Sequence, residues 1–148
     1  MPAQSTILSE QQLINAAKAP VLAYNEKNWE TVRTAVTTDS LYDEVATHRK
    51  AQGIDELIAV WRGWATAFPD SKATFGNAIA SGNMVVLELR WQGTHQGPLQ
   101  TPNAPIAPTG KRIDIRACMV IELAGEKTKT QRHYFDMATL LQQLGVTA

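Results

Sequence analysis

The apolar residues change period at Phe68-Pro69-Asp70, and that change most limits what the chain can fold into. Before it, Ile54, Leu57, Ile58, Trp61, Trp64, Ala65 and Phe68 recur three and four apart, the wide stripe of an amphipathic helix. Pro69 favours a stop there, because the residue before a proline is pushed out of the helical region. After it, Val85, Leu87, Leu89 and Trp91 alternate with Val86, Glu88, Arg90 and Gln92, the pattern of a half-buried strand.

The rest of the chain extends both halves. Ser9 and Gln12 are spaced as a capping box, with Leu8 and Leu13 as its staple. Leu13, Ala17, Val21 and Tyr24 continue that first helix, and Pro20 interrupts it. Asn28 caps a short second helix carrying Trp29 and Val32. On the strand side, Phe75 to Ala80 is a weak strand and Gly82-Asn83 a turn. Ile113, Ile115, Ala117, Met119, Ile121 and Leu123 share one strand face, and Gly125 turns the chain into a last strand, Lys127 to Phe135. Met137, Leu140, Leu141 and Leu144 form a terminal amphipathic helix ended by Gly145. Helices first and antiparallel strands after predict an α+β fold with helices on one face of a sheet. If that sheet curls, a pocket lies between it and the helices.

The segment "GTHQGPLQTPNAPIAPTG" holds four prolines and three glycines, which excludes regular structure. So long a connection inside a compact domain marks a functional loop. The 148 residues carry neither repeat nor linker and read as one domain, 1–148. Basic and acidic residues balance at 14 each, so nothing recruits nucleic acid or an anionic membrane. The N-terminus has no signal-peptide pattern, and no apolar run approaches the ~20 residues of a membrane span. The single cysteine, Cys118, lies in an apolar run and fits a reducing compartment, so the expected location is cytoplasmic. Motifs for serine hydrolases, zinc proteases, nucleotide hydrolases and dinucleotide enzymes are absent. The histidines His48, His95 and His133 match no metal-ligand spacing, and no metal is expected.

Four segments together resemble one family: "AFPD" at 67–70, "GTHQGP" at 93–98, "PTGKRI" at 108–113 and "RHYFDMATLLQQLG" at 132–145. In this order and spacing they are similar to the SnoaL-like polyketide cyclases, or ester cyclases, of the nuclear-transport-factor-2-like superfamily. The resemblance covers about residues 10 to 145. It implies a cone: a curved antiparallel sheet wrapped around three N-terminal helices, plus a short C-terminal helix. It also implies aldol-type ring closure, or a related isomerisation, on an apolar carbonyl-bearing substrate without metal or organic cofactor. A homodimer formed through the convex side of the sheet is implied as well. The family's acid/base aspartate matches Asp136. Its second pocket histidine has no counterpart here, that position falling near Met119.

From the residues alone Asp136 reads equally as an N-cap for the last helix and as a pocket base. Tyr134 and Arg132 share its strand parity and are candidate partners, whereas His133 has the opposite parity and is expected to face away. The resemblance implies a pocket-mouth place for His48, which reads equally as a surface-loop histidine, and His95 reads as a rim or structural residue. Trp61, Trp64, Leu87, Trp91 and Met119 are the expected apolar lining. Two further readings stand beside the enzyme: a small-molecule binding protein without turnover, and a dimerisation module whose cavity is filled by side chains.

Overall fold

A computed structural model describes residues 7–146. In chain order the elements are α1 (Glu10–Asn25), α2 (Trp29–Ala35), β1 (Val36–Glu44), β2 (Arg49–Gln52), α3 (Ile54–Ala67), β3 (Lys72–Ser81), β4 (Met84–Thr94), β5 (Arg112–Ala124), β6 (Lys127–Phe135) and α4 (Met137–Gln143). The strands form one curved six-stranded sheet in the order β2-β1-β6-β5-β4-β3. The fold is α+β, with the helices packed against one face of a curved sheet.

The capping box closes as its spacing requires: Ser9 Oγ accepts from the Gln12 amide and Gln12 Oε1 from the Ser9 amide. Helix α1 continues through Pro20 to Asn25. The stripe of α3 buries Leu57, Ile58 and Trp61 against Val85, Leu87, Met119 and Ile121 of the sheet, and the helix yields to Pro69 as expected.

Two expectations are corrected. The segment between α2 and α3 holds the strands β1 and β2, which the sequence left unassigned. The inward residues of β1 are Val36, Ser40, Tyr42 and Glu44, mostly polar, so no apolar alternation marked the strand. The sheet is also mixed, since β1 pairs with β6 in parallel while the other pairings are antiparallel.

A bulge in β6 decides which side chains enter the interior. Leu123 pairs with Thr128 but Glu122 pairs with Thr130, so Lys129 is an extra residue. Beyond it Met119 opposes His133. Had the Leu123–Thr128 register continued, Met119 would oppose Arg132. A slip of one residue turns every later side chain to the other face.

The long loop after β4 is held at both ends and in its middle. His95 and Lys111 are joined by a backbone bond of 2.8 Å, and Leu99 pairs with Ile106. Leu99 then packs with Phe68, Ile113, Leu140 and Leu144 in a second small cluster.

Candidate functional site

Between the helices and the sheet lies a cavity of about 60 Å³. Helix α1 contributes Val21 and Tyr24, and α3 contributes Trp61 and Trp64, with Phe68 and Ser71 following it. The sheet contributes Tyr42, Trp91, Ile113, Ile115, Met119, His133 and Phe135, and α4 adds Leu140. The wall is therefore almost wholly apolar and largely aromatic. Tyr24, Trp61 and Trp91 meet edge to face, with Tyr24 as the shared ring.

One strand of buried polar contacts runs through this wall. Trp91 Nε1 is 3.2 Å from His133 Nε2, His133 Nδ1 is 2.8 Å from the Tyr42 hydroxyl, and that hydroxyl is 2.8 Å from Glu44 Oε2. Its direction follows from the two ends. An indole nitrogen only donates, so Nε2 accepts and the neutral ring carries its proton on Nδ1. A carboxylate only accepts, so Tyr42 donates to Glu44 and receives from His133. The order is Trp91 to His133 to Tyr42 to Glu44, each N–H or O–H donating to the next.

Glu44 is wholly buried, yet no part of its carboxylate is left bare. Oε2 also accepts from Trp64 Nε1 at 2.8 Å, and Oε1 accepts from Thr47 Oγ1 at 2.6 Å and Arg49 at 2.9 Å. Burial pushes the His133 imidazole down to about 4, partly offset by the Glu44 charge. The ring is therefore neutral at pH 7. Burial, then the Glu44 charge, raise the Tyr42 hydroxyl well above its ordinary value, so it stays protonated.

The expected site residues divide sharply. Trp61, Trp64, Trp91 and Met119 line the cavity. Leu87 is buried in the core but stands outside the lining. Asp136 is exposed and does not reach the cavity. Its Oδ1 accepts from the Thr139 amide at 3.1 Å and its Oδ2 from the Thr139 hydroxyl at 2.7 Å. These bonds hold its carboxyl below the usual range, as befits a helix cap. Tyr134 and Arg132 are exposed on the same outward face. The relative parity of these residues is as expected; the bulge at Lys129 exchanges inside for outside and brings His133 in.

His48 is exposed in the turn between β1 and β2, in the left-handed conformation at φ 57°, and is not part of the cavity. His95 is buried and structural: Nδ1 accepts from the Thr109 amide at 3.1 Å and pins the long loop. No cluster of three metal-ligating side chains occurs among the described residues. Tyr42, Glu44 and Ser71 escaped the sequence reading, and Tyr24 entered it only as a helix residue. The signal available for the first two was their spacing, since residues two apart on a strand share a face.

The model of the SnoaL-like polyketide cyclase family matches residues 15–144. Among curated proteins none matches. Of the solved structures, a protein designated a SnoaL-like polyketide cyclase from Jannaschia sp. CCS1 superposes with a TM-score of 0.83 at 17% identity, over 99% of this chain and 100% of that one. A protein with a ketosteroid isomerase-like fold from Catenulispora acidiphila, in complex with trimethylamine, gives 0.74 at 16% identity, over 88% and 92%. An LEH-like epoxide hydrolase of M. tuberculosis gives 0.70 at 19% identity, over 90% of each chain. At such identities these structures share the fold. The family model spans nearly all of α1 to α4, and the chain belongs to the SnoaL-like polyketide cyclase family.

Proposed function

We propose that the chain is a cofactor-independent enzyme that moves a proton on a small apolar molecule next to a carbonyl, in aldol-type ring closure or a related isomerisation. The observation that carries this is His133, the one titratable nitrogen in an aromatic cavity, held as a single tautomer by Tyr42 and Glu44. This reading moves the acid/base role expected at Asp136 to His133.

The chemistry follows from that tautomer. A substrate C–H beside the carbonyl displaces the Trp91 indole from Nε2, a long bond and the easiest of the chain to give up. Nε2 takes the proton, the C–H electron pair moves into the carbonyl, and an enolate forms. The cost of burying the imidazolium so made is offset only in part, through Tyr42, by the Glu44 charge, and the apolar walls exclude water. Positioned general-base catalysis of this kind supplies roughly 10²–10⁴-fold. A cavity of about 60 Å³ holds only a small part of a ligand, the remainder lying toward the mouth.

Binding without turnover is the second reading. It is favoured by one fact: both nitrogens of His133 already have partners, so no lone pair is free without a rearrangement. Deuterium exchange separates the two. In D₂O, wild type should accelerate α-hydrogen exchange in small cyclic ketones and β-keto esters, and His133→Gln should lose at least ~10²-fold of that rate. No acceleration by wild type leaves only binding. Acceleration unchanged in the variant removes His133 from the chemistry.

A homodimer formed through the outer face of the sheet and a cytoplasmic setting suited to a lone half-buried thiol complete the proposal. No helix among the described residues is long and apolar enough to cross a membrane.

A further inference from the structure

A second pair of bonded polar groups belongs to two residues that line the cavity, Tyr24 and Ser71. The Tyr24 hydroxyl and Ser71 Oγ lie 2.6 Å apart. The pair has two hydroxyl hydrogens, and their mutual bond uses one. Neither oxygen has another partner among the described residues, and both side chains are buried, Tyr24 at 4% and Ser71 at 5% exposure. Whichever oxygen donates to the other, one O–H remains unused. Buried polar groups are normally satisfied, so a leftover donor beside an otherwise apolar cavity wall can turn to an acceptor that enters there.

The pair is also fixed in place. Asn25 bonds Ala73 in both directions, its Nδ2 to the carbonyl at 3.0 Å and its Oδ1 to the amide at 2.9 Å. The Lys27 ammonium donates to the Ser71 carbonyl at 2.5 Å and lies 4.2 Å from the centre of the Tyr24 ring. Asn25 and Lys27, just after Tyr24, thus tie the end of α1 to Ser71 and the start of β3. Burial pushes the Tyr24 hydroxyl up to about 12, which keeps it a donor. The nearest cation already serves the Ser71 backbone, so the wall offers a neutral donor and not an anion site.

We infer that the Tyr24–Ser71 hydroxyl pair is the cavity's recognition point for a neutral oxygen acceptor, a ligand carbonyl. It acts as a positioning pair, fixing the oxygen while His133 faces the adjacent carbon. This rests on the reading of the cavity as a ligand site.

The test compares cyclopentanone with cyclopentane, titrated into ¹⁵N-labelled protein and followed by the indole N–H resonances of Trp64 and Trp91. Removing both hydroxyls (Tyr24→Phe with Ser71→Ala) replaces two buried partners by apolar groups of similar shape, which folded proteins tolerate. The ratio of ketone to hydrocarbon affinity should fall roughly 3–10-fold in the double variant, one neutral hydrogen bond. Either single variant keeps one O–H and should lose less. An unchanged ratio in the double variant overturns the inference while leaving the cavity as a ligand site. Binding of neither compound to wild type overturns both. The wild type gives an answer independent of any variant: the bound ketone's C=O stretch should lie below its frequency in alkane, and an unshifted band overturns the inference.

Discussion

The Tyr42 hydroxyl stands 2.8 Å from His133 Nδ1, although the two residues come from strands at opposite ends of the chain. The parallel pairing of β1 with β6 creates this contact. It sets Glu44 beside His133 and Tyr42 beside Gln131, so Tyr42 lies diagonally below the imidazole and between it and the carboxylate. A hairpin of polar inward residues thereby supplies the cavity with a fixed acceptor at its base.

The first prediction concerns acid stability. His133 has a folded pKa of about 4 against an ordinary value of 6.5. Between those values the unfolded chain takes up a proton that the folded chain refuses, so stability falls as the pH drops from 6.5 to 4 and levels off below. The full loss is roughly 3 kcal/mol at 1.36 kcal/mol per unit. Urea unfolding at stepped pH should show this loss in wild type and a flatter curve in His133→Gln. Other groups titrate in both proteins, so the difference curve isolates position 133. Parallel curves would mean that the imidazole titrates alike in the folded and unfolded chains.

The second concerns Glu44. Its two oxygens accept from Tyr42, Trp64, Thr47 and Arg49. Glu44→Gln keeps the volume but turns one acceptor into an NH₂ group, which then faces donors on whichever side it lies. Leaving a buried donor such as the Tyr42 hydroxyl without its acceptor costs about 1–3 kcal/mol, and the 41% exposed Arg49 loses its ion pair as well. Urea unfolding should report a loss of that order, and the Trp64 indole resonance should move with it. A loss under about 1 kcal/mol would mean that Arg49 simply turns to solvent, as exposed pairs do at little cost.

Legibility in the sequence followed where the burial was apolar. Helix α3 and strands β4 and β5 were readable because Trp61, Leu87 and Met119 repeat at the period of their element. β1 was not, because Ser40, Tyr42 and Glu44 are what it buries. The site inherited that blindness. Asp136 stood out through its place in a motif, while His133 was set aside on a parity argument whose relative part was sound. The face itself hung on a single extra residue, Lys129, and nothing in "EKTKTQ" announces a bulge. "GTHQGP" was visible as a motif, but its work is mechanical. A side chain at Gly97 would put a carbon 2.0 Å from the Thr66 carbonyl oxygen, so only glycine lets the loop settle on the end of α3.

The third prediction separates Asp136 from the chemistry. Its carboxylate caps α4 through the Thr139 amide and hydroxyl and lies beside Arg90, Asp114 and Arg116 on the outer surface. Asp136→Ala should lower the melting temperature by about 2–4 °C, the usual effect of losing one cap in a chain of this size. Cyclopentanone affinity and the rate of α-hydrogen exchange should stay at wild-type values. A hundredfold fall in exchange would return the acid/base role to Asp136 and remove it from His133.

The last prediction concerns assembly. On the outer face Ile79 pairs with Val86 and Val86 with Val120, giving an apolar row across β3, β4 and β5. Cys118 and Tyr134 form the neighbouring pair across β5 and β6. Ile79 is 62% exposed and Tyr134 41%, while Val86, Cys118 and Val120 are half-buried. Glu88, Arg116 and Arg132 stand around this patch as a charged margin. A continuous apolar patch with a polar rim on a sheet face suits a two-fold contact in which each copy presents the same surface. Sedimentation should find a dimer at micromolar concentration, and Val120→Glu should yield a folded monomer, since it sets two like charges close to the two-fold axis. The Cys118 thiol reports the same equilibrium, because alkylation should quicken on dilution as the patch is uncovered. A wild type that sediments as a monomer, with alkylation independent of concentration, would show that the outer face works alone in water.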